Sequence, residues 1–110
     1  MTRPAIRIRA LNDAFRTTGS LHGDWVVTVG VSALGPAFVL EAVRAVRHFD
    51  HFSADNDPYG EHDFGSFELA GETLFWKIDY YAPDLLHGSD DPADPELTLR
   101  VLTLMLASEY

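Results

Sequence analysis

Pro95-Glu96-Leu97-Thr98-Leu99-Arg100-Val101-Leu102-Thr103-Leu104-Met105-Leu106, residues 95–106, is the most apolar stretch of the chain, and its reading decides the fold. Asp94 before Pro95, with Glu96 in the first turn, gives the combination that starts a helix: an acceptor cap, a preset φ and a negative charge at the positive dipole end. Read that way, residues 95–110 form a helix that is apolar nearly all round. Its one polar strip is Glu96, Arg100 and Thr103, with Glu96 and Arg100 ordered for an i, i+4 pair. Such a helix belongs at the centre of a core.

Working outward, Thr73 to Tyr81 reads as a strand, with Leu74, Trp76, Ile78 and Tyr80 on one face and Phe75, Lys77, Asp79 and Tyr81 on the other. The second face mixes aromatic bulk with a charge pair, so partial cover is expected there. Ser66–Leu69 alternates, and Ala70-Gly71-Glu72 is a hairpin turn. Asp24–Val31 is β-branched and reads as a strand, followed by a helix from Pro36 to about His48 with Val39, Ala42, Val43 and Val46 on one stripe. A first helix over 2–17 buries Ile8, Leu11 and Phe15 and turns Arg3, Arg7, Asn12, Asp13 and Arg16 outward. Phe49 and Phe52 anchor the loop that follows the second helix. The expected fold is therefore α+β: three helices on a three-stranded antiparallel or mixed sheet, order α-β-α-β-β-α, as one domain over 1–110.

Between the second helix and the hairpin lies Asp55-Asn56-Asp57-Pro58-Tyr59-Gly60-Glu61-His62-Asp63-Phe64-Gly65. Asp57-Pro58-Tyr59-Gly60 is a β-turn by composition, and Asp55 and Asn56 can bond forward to backbone N–H groups. The formal net charge of the chain is −9, and it is unevenly spread. Residues 1–49 net +3 and residues 50–110 net −12. A half so acidic repels phosphates and anionic membranes and attracts cations or basic protein surfaces. There is no Cys, hence no disulfide or thiolate site. The N-terminal residues lack the apolar run of a signal peptide, and no segment reaches the ~20 apolar residues of a membrane span, so a cytoplasmic location is expected.

Three chemistries are open to the acidic stretch. Asp55, Asp57 and Gly60 match the first, third and sixth positions of a calcium loop, but the twelfth, where a bidentate Glu belongs, is Ser66. Acid–base work would fall to His62 beside Glu61 or Asp63. No nucleophile elbow, phosphate-cradling loop or zinc-protease motif is present, and Lys77 follows Phe75-Trp76 rather than the acidic pattern of a metal nuclease. Recognition remains: Asp55, Asp57, Tyr59, Glu61, His62, Asp63, Tyr81, Asp90 and Asp91 combine carboxylates with aromatic anchors suited to a basic protein surface. The carboxylates of loops 50–63 and 84–96 can imitate a phosphate track.

Residues 55–65, with Lys77-Ile78-Asp79-Tyr80-Tyr81 and Ser89-Asp90-Asp91-Pro92-Ala93-Asp94-Pro95, make the chain resemble an uncharacterised bacterial domain-of-unknown-function family frequently encoded on plasmids and other mobile elements. The resemblance runs from Ile8 to Tyr110 and departs at His51 and at Ser53-Ala54. It transfers no activity. By its setting it implies a role in countering host defence, of antirestriction or anti-CRISPR type. The expectation is thus an acidic, non-enzymatic binding protein, with a small metal-dependent hydrolase or nuclease using loop 55–63 as the alternative. No cofactor is expected, a divalent cation at that loop being the one candidate. Expected partners are a basic or nucleic-acid-binding protein and, as a homodimer, a second copy; nucleic acid and membrane are not.

Overall fold

The computed structural model describes residues 4–19 and 23–110. In chain order the elements are α1 (Ala5–Thr18), β1 (Gly23–Val27), α2 (Val29–Ser32), α3 (Pro36–Arg47), β2 (Phe64–Leu69), β3 (Glu72–Tyr81), β4 (Leu99–Leu106) and a 3-10 turn (Ala107–Glu109). The four strands form one mixed sheet in the order β1-β4-β3-β2. β4 runs parallel to β1 and antiparallel to β3, and β2 pairs antiparallel with β3. The α+β class holds; the count of three strands and the element order do not.

The correction is the apolar stretch itself. Residues 99–106 are not a core helix but the central strand β4. A segment apolar on every side can satisfy itself as a buried helix or as a strand with neighbours on both edges. Here the second solution wins because β1 and β3 flank it. Asp94 does accept the Glu96 backbone N–H at 2.9 Å, the bond of a helix start, but the chain closes a single turn there and then extends. Arg100 and Glu96 consequently never meet: Glu96 is exposed in the loop and Arg100 is buried.

The stripe of α3 and the hairpin are found as expected. α3 buries Ala42 and Val46 against the sheet with Val39 and Val43 beside them. Phe49 and Phe52 pack edge-on against Trp76 at 5.6 and 6.2 Å. Ala70 and Gly71 form the two-residue turn between β2 and β3, both with positive φ, which suits the right-handed twist of a hairpin. Gly65 is required for a different reason: a Cβ there would collide with the Trp76 indole on the neighbouring strand. β1 stops at Val27, and Val29–Ser32 turns into α2. The expected helix start at Thr2 lies outside the described residues. Asn12 and Arg16, expected outward, are buried at 0 and 3% exposure.

The helices lie on one side of the sheet. Phe15 of α1, Val31 of α2 and Ala42 and Val46 of α3 share a core with Leu74, Trp76, Ile78, Leu102 and Leu104. By the alternation of strands, Phe75, Lys77, Asp79, Tyr81, Leu99, Val101, Thr103 and Met105 face the opposite way. Among the described residues no helix is long and apolar enough to cross a membrane.

Candidate functional site

Both acidic loops are seated on α1. The loop ending at Asp63 leads into β2, and the 82–98 loop joins the end of β3 to the start of β4. Asn12 lies at the junction. Its Nδ2 donates to the Glu61 carbonyl at 2.9 Å and to the Tyr80 hydroxyl oxygen at 2.8 Å. Its Oδ1 accepts from Arg100 Nε at 2.7 Å. The Tyr80 hydroxyl donates to Glu61 Oε1 at 3.0 Å, and Arg100 Nη2 donates to the Pro92 carbonyl at 2.6 Å. One turn earlier on α1, Arg7 Nε donates to the Ala93 carbonyl at 2.8 Å. The side chains of one helix thus fix the backbones of both loops.

Electrostatics in this junction are those of buried polar groups that satisfy one another. Burial raises the Tyr80 hydroxyl far above its ordinary value, with Asp63 and Glu61 adding to the rise. Burial lowers the Arg100 guanidinium, opposed by Tyr80 and Glu61, and the cation lies over the Tyr80 ring at 5.3 Å. An orphaned member of such a set costs roughly 1–3 kcal/mol per buried polar group, so the network stabilises only as a whole.

His62 sits in the second half of the same seat. It has a left-handed backbone, φ 55°, and its N–H donates to Asp57 Oδ1 at 3.1 Å. Nδ1 lies 2.9 Å from Asp13 Oδ1, Nε2 lies 3.6 Å from Asp57 Oδ2, and the ring stacks on Phe52 at 3.7 Å. Both ring nitrogens face carboxylates of the protein. Arg16 completes the arrangement. Its Nη1 donates to the carbonyls of Val46 and Phe49 at 2.7 and 3.0 Å, where the negative end of the α3 dipole favours a cation, and its Nη2 pairs with Asp13 at 3.2 Å.

The sequence-selected residues therefore separate into two groups. Asp57 and Glu61 are buried, and His62, Asp63 and Tyr81 are half-buried. Asp55, Asp90 and Asp91 are exposed, as is Tyr59 at 75%. Tyr81 stands apart on the other face of the sheet, its backbone bridged to Gly88. With Asp50, Asp84 and Glu96, the loops present six exposed acids. Neither 50–63 nor 82–98 contains a Lys or Arg.

Short side-chain bonds hold these loops in shape. Asp84, Asp91 and Asp94 each accept the backbone N–H two residues on, at 2.8, 3.1 and 2.9 Å. Asn56 accepts from Ser53 N and donates to the His51 carbonyl, and Gly60 N closes the Asp57 turn at 3.0 Å. The Leu86 N–H, with the His87 side chain, holds the Asp84 carboxyl below the usual range. Among the described residues no three His, Asp or Glu side chains are grouped to hold a metal ion. In loop 55–63 the reason is direct: Asp57 and Glu61 turn inward to different partners while Asp55 turns out.

Asn12, Asp13, Arg16 and Arg100 are the residues that sequence reasoning missed. Arg100 carried a signal, since a lone cation inside an otherwise apolar run must find buried acceptors. Asn12 and Arg16 carried none beyond their place on an amphipathic helix.

A two-layer α+β domain with both acidic loops pinned to one helix is the class these features define. Within that class, a family model for proteins of unknown function, DUF3768, matches residues 27–109, and the chain belongs to this family. No curated protein and no solved structure matches it.

Proposed function

We propose that the protein is a non-enzymatic acidic binding protein whose loop face occupies the cationic groove of a nucleic-acid-binding partner. The observation that carries this reading is the shared seating of two loops with six exposed carboxylates and no Lys or Arg. Their Asx bonds fix the backbone before contact, so little ordering entropy opposes association. Tyr59, exposed beside them, is the kind of rigid aromatic that anchors an interface. Opposite potentials then steer the encounter and make it sensitive to salt. The family resemblance supports a mobile-element setting in the bacterial cytoplasm, and with it a restriction or CRISPR nuclease of the host as the partner.

The test is cleavage of duplex DNA by purified restriction complexes and CRISPR effectors, with and without the protein. Inhibition that weakens steeply as salt rises is expected for at least one of them. Full cleavage by every enzyme of the panel at low salt, with excess protein present, contradicts the proposal.

A further inference from the structure

The sheet has a second face that no helix covers among the described residues. Across it lie Val26 on β1, Leu99, Val101, Thr103 and Met105 on β4, Phe75, Lys77, Asp79 and Tyr81 on β3, and Phe64 on β2. One corner is closed by Tyr110, whose ring meets Phe64 and Phe75 edge-on at 6.2 and 5.5 Å. Val26 remains 45% exposed. The middle of the face is different: Lys77 and Asp79 pair at 3.0 Å, each side chain about 40% exposed, beside Thr103 and Val101 on β4.

We propose that this open face is a homodimer interface, packing sheet against sheet on a second copy of the chain. The first argument is charge. Two molecules of net charge −9 repel, and the exposed acids of the loops make that repulsion strongest at the loop face. The open face carries Lys77 against Asp24, Glu68 and Asp79, a smaller acidic excess than the loop face with its six exposed carboxylates and no Lys or Arg.

The second argument is symmetry. In a two-fold contact the same patch meets itself. A two-fold axis through the centre of this face brings the Lys77 of each copy to the Asp79 of the other. It also lays Phe75, at one end of the face, over Tyr81 at the other end of the partner's. Lys77 and Asp79 meet opposite charges, while Asp24 and Glu68 stand at the two edges of the face.

Size sets the strength. Four strands spaced at ~4.8 Å and eight residues of ~3.3 Å rise give a face of roughly 500 Å² per copy. A pair then buries on the order of 1,000 Å², the low end of specific interfaces, which fits a dimer that forms and parts with concentration.

Sedimentation velocity over a micromolar concentration series tests this. The wild-type chain is expected to pass from monomer to dimer. Lys77→Glu alone and Asp79→Lys alone should each weaken self-association by roughly tenfold, because each leaves like charges opposed across the two-fold. Mixing the two variants should restore dimers, since each then offers the other an opposite partner. If either variant fails to fold by circular dichroism, Thr103→Trp, at the centre of the same face, reads the contact by bulk and should also abolish the dimer. A wild-type monomer at every concentration overturns the proposal, as does a dimer indifferent to all three substitutions.

Discussion

The carboxylates that turn inward in loop 50–63 and those that turn outward from both loops do opposite work. Asp57 and Glu61 spend their charge on the fold: one accepts the His62 N–H and faces its ring, the other accepts the Tyr80 hydroxyl. Asp55, Asp90, Asp91 and Glu96 stay in water and contribute mainly to the potential at the surface. An acidic composition thus has two components, and only the exposed one is available to a partner. The first group fixes loop 50–63, and so where its outward acids stand.

Substitutions should separate the groups by size of effect. The largest belongs to the buried junction. Arg100→Ala leaves the Asn12 Oδ1 and the Pro92 carbonyl without their donor and should cost about 1–3 kcal/mol for each of the two in urea unfolding. Asp57→Ala removes one buried acceptor from His62 and should cost about 1–3 kcal/mol, releasing loop 55–62 to hydrogen exchange before the global transition.

A smaller effect follows pH at the far end of the sheet. The Thr28 hydroxyl and the backbone N–H groups of Leu106 and Gly30 donate to Glu109 and lower its carboxyl below the ordinary value. A carboxyl with a depressed folded value stabilises above its unfolded value near 4.5 and loses that contribution as pH falls through the folded one. Thermal melts of wild type and Glu109→Gln should therefore converge as pH drops below 4.5 and differ above it. The smallest stability effect is expected at the outward acids. Asp55→Asn, Asp90→Asn, Asp91→Asn and Glu96→Gln combined should change unfolding by about 0.5 kcal/mol or less.

How much of this was legible follows from what a side-chain pattern encodes. The two faces of β3, the stripe of α3 and the hairpin at Ala70-Gly71 were all present as periodicity or turn chemistry. The half-covered second face was readable too, from Lys77 and Asp79 among aromatics. β4 was not, because Leu, Val and Met packed on all sides satisfy a buried helix and a central strand equally. Only the neighbouring strands, set by long-range pairing, decide between them. In the acidic loop the turn at Asp57–Gly60 was visible, but the inward direction of Asp57 and Glu61 depends on Asn12, Asp13 and Tyr80 from distant parts of the chain. Local sequence names the acids; the tertiary fold sorts them.

The outward acids carry the central claim, and one competition measurement addresses them. A labelled DNA duplex is bound to the partner nuclease, and fluorescence anisotropy follows its displacement by wild-type protein and by the Asp55→Asn, Asp90→Asn, Asp91→Asn, Glu96→Gln variant. Displacement by the wild type is expected, with its loss, by about tenfold or more, in a variant that melts at the same temperature. Equal displacement by both proteins would contradict it.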